Sequence, residues 1–415
     1  MHGIIDIAAA LISISALFAY INHRFIGLPT TIGVMIVAML ASLLVYLLSA
    51  FGLSDFENEA AELLGGIDFN QTLLNGMLSF LLFAGALHVS LSDLNKQRWI
   101  ILSLATFGVV ISTFLVATAA YYLLSALSCH LPYQYCLLFG ALISPTDPIA
   151  VMSTVKRLGV SKELETTIAG ESLFNDGVGV VVFTVLLLLL QSPEQITAGH
   201  VLFVFAEEAI GGILFGLALG ALGYYLLGTI DNYKVEVLIT LALVMGGYGL
   251  AMSIHTSGPI AVVVAGLITG SLLRKNSMSE KTRRRIDDFW ELIDEILNVI
   301  LFALIGLEML IIPFESEWLI AGLLLILIVV LVRVVSVGVP IRLIGLRTKV
   351  APHLVKILVW GGLRGGISVA LALSLPDGEF RDLIVFLTYI IVVFSIVVQG
   401  LTIGPFIRKL TAEGA

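Results

Sequence analysis

Residues 170–190, GESLFNDGVGVVVFTVLLLLL, decide how the chain is read. The second half is apolar enough for lipid, yet the first half carries Glu171, Ser172, Asn175 and Asp176. A hydrocarbon core of ~30 Å takes about 20 helical residues to cross, and this stretch supplies them without a turn signal. A charge at that depth costs at least ~2.5 kcal/mol, so an ionisable side chain there points to function by default. Glu171/Asn175 and Ser172/Asp176 are two i,i+4 pairs, which set all four polar groups on one face of an otherwise apolar helix. Gly179 lies on that same face and admits another helix closely.

Outward from this stretch the chain is of one kind. Hydrophobic residues make up 59% of its 415 positions and charged ones 13%, with mean hydropathy +1.06, where a soluble domain is about a quarter charged. This composition reads as a polytopic membrane protein with nothing left over for a soluble domain. Thirteen apolar spans are expected, over residues 4–21, 29–50, 71–90, 99–127, 133–155, 163–190, 201–228, 235–254, 258–273, 288–312, 318–340, 353–375 and 382–407. Backbone groups in hydrocarbon are satisfied only in helices or closed barrels, and these runs are too long and uniform for barrel strands. The expected fold class is therefore all-α.

Loop charge sets the orientation. Arg24, Lys96, Arg98, Lys156, Arg157, Lys162, Lys234, the stretch RKNSMSEKTRRR (274–285), Arg342, Arg347, Lys349, Arg408 and Lys409 all fall on alternate loops. The other loops hold only Arg381 and the acidic SDFENEAAELLGGID (54–68), PFESEW (313–318) and PDGEF (376–380). Basic loops stay in the cytoplasm, which places the N-terminus outside and the C-terminus inside. No Lys or Arg precedes the first apolar run, so no cleaved signal peptide is expected. The net charge of −8 resides mostly in outer loops and one inner helix start, and implies no nucleic-acid partner. Cys129 and Cys136 flank one outer hairpin and read as small apolar side chains, the seven histidines show no metal spacing, and no cofactor is expected.

An internal repeat refines the picture. Span 2, GLPTTIGVMIVAMLASLL, and span 9, TSGPIAVVVAGLITGSLL, share an early Pro and a closing Ser-Leu-Leu, and LNGMLSFLLFAGALHV in span 3 is echoed by LNVILFALIGLEML in span 10. The map pairs spans 1–6 (residues 1–199) with spans 8–13 (231–415), and leaves span 7 (200–230) as a connector. An odd offset reverses the second copy in the membrane, and such inverted repeats are built into transporters that alternate access around a midplane site. The map also pairs span 5 with span 12. Both are interrupted: SPTDP (144–148) sets two prolines around Thr146 and Asp147, and GGLRGG (361–366) sets four glycines around Arg364.

Two broken helices leave free carbonyls and helix ends, and with the hydroxyls and carboxylates nearby they offer oxygen ligands to a hard cation. Arg364 needs a buried carboxylate, and Glu171 is the expected partner. Asp176 then remains as the exchanging group. Out of water its charge is compensated either by a proton or by a metal ion, so the two compete, and a site that crosses only when compensated is an antiporter. Other intramembrane charges read more plainly. Asp147 also suits a helix cap, Arg333 in span 11 reads as snorkelling, Glu308 as reaching water, and Asp287, Glu291 and Asp294 as a solvated stripe. Gly212, Gly216 and Gly220 read as helix-packing contacts. Two other function classes stand beside the antiporter: an intramembrane aspartyl protease, which lacks its Gly-x-Gly-Asp signature here, and a passive cation channel.

SPTDP, GESLFNDG, FWELIDEILNVILFALIGLE (289–308), GGLRGG and VVQGLTIGPFIRKL (397–410) together resemble the NhaP/NHE branch of the monovalent cation:proton antiporters, over nearly the whole chain. The resemblance implies a transporter rather than an enzyme, with a thirteen-helix NhaA-like inverted-repeat fold, a homodimer in lipid, and a core domain that moves against a dimerisation domain. It implies that Asp176 binds the ion and the proton, with Ser172, Glu171 and Thr146 as further ion ligands. It also implies that Asn175 and Asp147 steady the helix crossing and that Glu171 pairs with Arg364. An Asn ahead of the Asp is the pattern of electroneutral members, so one-for-one exchange is expected, with Na+ first and Li+ or K+ as alternatives. The short stretch after span 13 lacks the tail of animal exchangers and favours a prokaryotic inner membrane.

Overall fold

The computed structural model describes residues 4–51, 76–191, 198–273, 280–312, 315–345 and 353–412. The acidic segment 54–68, the start of span 3, Pro313, Arg347, Lys349 and residues 274–279 of the basic stretch lie outside the described residues. Everything described is helix or short connection. In chain order the helices are α1 (Ile4–Ile21), α2 (Thr30–Ala50), α3 (Leu78–His88), α4 (Leu91–Ala126), α5 (Tyr133–Ile143), α6 (Ile149–Leu158), α7 (Lys162–Gln191) and α8 (Ala198–Leu227). They continue with α9 (Tyr233–Ser253), α10 (Gly258–Leu273), α11 (Glu280–Glu308), α12 (Ser316–Gly345), α13 (Leu354–Trp360), α14 (Gly366–Leu373) and α15 (Glu379–Leu410). Eight of the described helices are long and apolar enough to cross a bilayer, and α3, α5 and part of α10 are shorter apolar helices. The chain is an integral membrane protein.

Two bundles form. Helices α1, α2, α3, α8, α9, α10 and α11 pack chiefly on one another, as do α4 to α7 with α12 to α15. Within the first bundle α2 lies on α11 and α10 lies on α3. Helix α10 also lies against α8, where a Cβ on Gly216 would come within 2.6 Å of the Ala261 carbonyl oxygen. That close approach is what the glycine stripe at Gly212, Gly216 and Gly220 supplies. Trp290 of α11 ties the bundle further, packing on Phe83 with ring centroids 4.8 Å apart and tilted by 51°, and donating to Thr240 Oγ1 at 3.1 Å. The seam between bundles runs where α7 meets α8 and α10, and where α11 meets α14.

Both expected helix breaks are present. α5 ends at Ile143 and α6 begins at Ile149; α13 ends at Trp360 and α14 begins at Gly366. Two spans start earlier than hydropathy indicates. α4 begins at Leu91, where Asp93 holds Lys96 at 2.9 Å and Lys162 at 3.0 Å. α11 begins at Glu280 because its charged first turns still bury Ile286 and Trp290. Backbone hydrogen bonding continues into water wherever one face has something to pack on. Single π-turns interrupt α4 at Leu104–Gly108 and α15 at Ser395–Gln399. Cys129 and Cys136 are free and buried.

Candidate functional site

The two breaks cross in the second bundle. Asp147 and Leu363 form an isolated antiparallel bridge, with the Asp147 N–H donating to the Leu363 carbonyl at 2.8 Å. Proline at 145 and 148 and glycine at 361, 362, 365 and 366 stop the helices on either side, so four helix ends meet at this point. Their orphan groups are satisfied by side chains. Asp147 Oδ1 accepts from the Ile149 N–H at 2.9 Å and caps α6. Gly365, just ahead of α14, is so close to the Asp147 carboxyl that a Cβ there would collide with it. The Asp147 carboxylate therefore stands at the positive ends of two half-helices.

The negative ends carry arginines. Arg364 Nη1 donates to the carbonyls of Ser144 at 2.7 Å and Pro145 at 3.0 Å, closing α5. Arg333 Nε donates to the Leu358 carbonyl at 3.3 Å, in the last turn of α13, and its Nη2 bonds Glu171 Oε1 at 2.6 Å. This corrects two expectations. Glu171 pairs with Arg333 rather than Arg364, and Arg333 does not snorkel, being only 5% exposed. The reason is facing: Arg333 lies on the side of α12 that meets α13 and Glu171, while Arg364 is committed to the carbonyls of the opposite break. Glu308 is buried as well, rather than open to water.

α7 docks on the crossing through its polar face. Asn175 Oδ1 accepts from the Thr146 N–H at 3.3 Å, Asn175 Nδ2 donates to Thr146 Oγ1 at 2.8 Å, and Ser172 Oγ donates to the Thr146 carbonyl. Gly179 makes this docking possible, since a Cβ there would run into Pro145. Asn175 and Asp147 thus hold the crossing through different partners rather than through each other. Two residues that the sequence reading passed over serve the other break. Ser395 Oγ accepts from the Arg364 N–H at 2.9 Å and donates to Gln399 Oε1 at 2.5 Å, and Gln399 Nε2 donates to the Trp360 carbonyl at 3.3 Å. Their i,i+4 spacing within an apolar span was the available signal.

A cavity of about 1030 Å³ reaches this crossing from the seam. Thr146, Asp147 and Asp176 line it at depth, and Asp93, Lys156, Arg157 and Lys162 of the basic loops also line it. Glu171 and Ser172 instead line a separate void of about 10 Å³ together with Arg333, Thr146 and Asp147. Of the carboxylates expected at the site, then, Asp176 and Asp147 face the large cavity and Glu171 turns away to Arg333. Asp176 is 9% exposed and has no ion-pair or hydrogen-bond partner among the described residues. A buried carboxylate left unpaired at the floor of a water-accessible cavity can hold a proton or a cation in turn, because no side chain competes for it.

The family model described as sodium/hydrogen exchanger, transmembrane, matches residues 12–409. The Na(+)/H(+) antiporter NhaP of Pseudomonas aeruginosa is 52% identical over 98% of this chain and 97% of its own length. The Na(+)/H(+) antiporter NhaH of Halobacillus dabanensis is 39% identical over 82% of this chain and 84% of its own. The sodium proton antiporter MjNhaP1 from Methanocaldococcus jannaschii, in a structure at pH 8, superposes with a TM-score of 0.73 at 21% identity over 97% of both chains, a likeness of fold. The chain belongs to the sodium/hydrogen exchanger family.

Proposed function

We propose that the protein exchanges a monovalent cation, Na+ first, for H+ across the membrane by alternating access, with Asp176 as the group that carries either ion. The observation that carries this reading is the unpaired Asp176 carboxyl at the floor of the cavity, beside two crossed helix breaks. The Thr146 oxygens border the same cavity, and Ser172 Oγ, on the separate void, holds the Thr146 carbonyl that faces the ion. Glu171, with one oxygen taken by Arg333, fixes α7 rather than supplying the exchanging charge. Asp147 and Asn175 keep the crossing rigid, and Arg364 neutralises the end of α5.

Thirteen membrane passages in two inverted repeats suit the packing. The sequence map sends span 2 to span 9 and span 10 to span 3, and the contact of α2 on α11 is matched by that of α10 on α3. The bundle holding Asp176 is then the moving part, and the other bundle is the one that pairs in a homodimer. The basic loops at the cavity mouth support a mouth open to the cytoplasm, with the N-terminus outside and the C-terminus inside a prokaryotic inner membrane. A single exchanging carboxylate, with Asn175 ahead of it, gives one-for-one electroneutral exchange.

The test is pH-dye dequenching in proteoliposomes with an imposed proton gradient, titrating Na+, Li+ and K+ in turn. Exchange reads as cation-dependent collapse of the gradient, unchanged when a membrane potential is clamped across the vesicle. A protein that leaves the gradient intact with all three ions is not this exchanger, and a rate that follows the potential overturns electroneutrality.

A further inference from the structure

The exchange reading uses one wall of the large cavity and leaves the opposite wall, formed by α11, without a role. Asp294 and Asn298 are i,i+4 on that helix and both line the cavity. Asn298 is 2% exposed, and its side-chain oxygen has no hydrogen-bond partner. Its neighbour one turn earlier, Asp294, is acted on by its amide, and the orphaned end of the side chain is the carbonyl oxygen. Leaving a buried acceptor unpaired costs about 1–3 kcal/mol, a cost that an apolar residue at 298 would avoid. Across the cavity, Asp294 is near enough to Asp147 for the two carboxylates to repel, and Asp147 in turn repels Asp176. None of the three has an ion-pair partner within 4 Å among the described residues. Asp147, Asp176, Asp294 and one neutral oxygen thus border a single space that water can enter, with the cation Lys156 and His88 also on its lining and acting on Asp294. A small cation there relieves each repulsion and satisfies the orphaned oxygen, whereas an anion or an uncharged solute does not relieve the repulsions.

We propose that Asp294 and the side-chain oxygen of Asn298 form a second, weaker alkali-cation site, a way station on the vestibule wall that faces Asp147 and Asp176. The proposal rests on the exchange reading above and names the route by which the cation reaches Asp176. One carboxylate and one amide oxygen are hard ligands that suit Na+ or its congeners. Two protein oxygens are too few to replace the hydration shell, so the ion stays partly hydrated and is concentrated there rather than selected. α11 belongs to the bundle that does not carry Asp176. The way station therefore stays in place when the exchange site moves, and serves it only while that site opens to this cavity. Its influence has a side.

The experiment measures the Na+ concentration for half-maximal exchange at each face, in everted and right-side-out membrane vesicles carrying the full chain. Asp294→Asn and Asn298→Leu each raise it roughly three- to tenfold at the face where the cavity opens, with the maximal rate kept and the other face unchanged. Asp294→Glu restores the wild-type value. In a direct measurement on purified protein, Asp176→Asn retains weak saturable Tl+ binding, and adding Asp294→Asn removes it. If the wild type shows no Na+-dependent exchange, the exchange reading fails and takes the way station with it. If the wild type exchanges normally while both variants keep wild-type values at both faces, only the way station falls. An equal rise at both faces also overturns it, because the effect then runs through the travelling site. Should Asp294→Asn fail to fold, Asn298→Ala, which keeps the charge, carries the same expectation.

Discussion

Arg333 and Arg364 are both cations that water does not reach, and each is compensated differently. Arg333 has a full counter-charge in Glu171 and a helix-end carbonyl besides; among the described residues the Arg364 side chain has only the two carbonyls at the end of α5, with its Nε unpartnered. Removing one member of a buried ion pair strands the other, at a cost of roughly 3–5 kcal/mol. Arg333→Ala is therefore expected to lower the thermal unfolding midpoint of the purified protein sharply, and Glu171→Gln in that background to recover part of the loss. Glu171→Gln should recover nothing in an Arg364→Ala background, and recovery there instead would reinstate the pairing expected from the sequence. Asp176→Asn keeps the volume and removes the exchanging charge, so dye dequenching should show no exchange while the protein still elutes as a single folded species. Normal exchange by that variant would remove Asp176 from the mechanism. That Asp176, Thr146 and Asn175 come together at the crossing was legible because polar atoms inside a span must have partners or a purpose. The arginine pairing was not legible, because position along span 11 gives depth but not which side of the helix turns inward.

At the scale of elements, the breaks are the unit of design. Proline and glycine announce them in the sequence, but what holds a broken helix in register is the set of side chains that replace its lost backbone bonds. For the first break these are Asp147, Asn175 and Arg364; for the second they are Arg333, Ser395 and Gln399. The π-turn at Ser395–Gln399 carries both of these last residues to the α13–α14 gap, and π-turns leave no mark in hydropathy. That is why the second break was placed correctly while its clasp went unread. Likewise the early starts of α4 and α11 escaped notice, because a span is defined by lipid and a helix by its own hydrogen bonds. Gln399→Leu removes the partner of Ser395 Oγ and of the Trp360 carbonyl. It should cost about 1–3 kcal/mol in thermal unfolding and lower the maximal exchange rate, with the cation concentration for half-maximal rate less affected. A variant that changes that concentration alone would make Gln399 part of the ion site instead of its frame.

Across the whole molecule, each bundle is well packed within itself, and the proposed exchange site lies against the seam that divides them. Asp176 and both breaks belong to one bundle, Asp294 and Asn298 to the other. Carrying a compensated Asp176 from one face of the membrane to the other then calls for the bundles to slide, not for either to unfold, since moving a packed bundle as a body keeps the crossing's hydrogen bonds intact. Composition and the repeat made a transporter legible, but not this seam, because which spans share a bundle depends on three-dimensional packing. The seam can be locked. A Cβ on Gly366 at the start of α14 would lie 2.5 Å from Leu301 Cδ1 of α11, so cysteines at the two positions lie within bridging reach across the bundles. With Cys129 and Cys136 replaced by Ala, the Leu301→Cys, Gly366→Cys protein should exchange when reduced, stop when oxidised, and resume on reduction, while neither single variant responds. Both positions line the large cavity, so loss of exchange on oxidation reports relative motion of the bundles when the single Leu301→Cys variant still exchanges after its thiol is capped with a methylthio group of similar bulk. Full exchange by the oxidised, gel-verified cross-linked protein would mean that the ion crosses without the bundles moving at this contact.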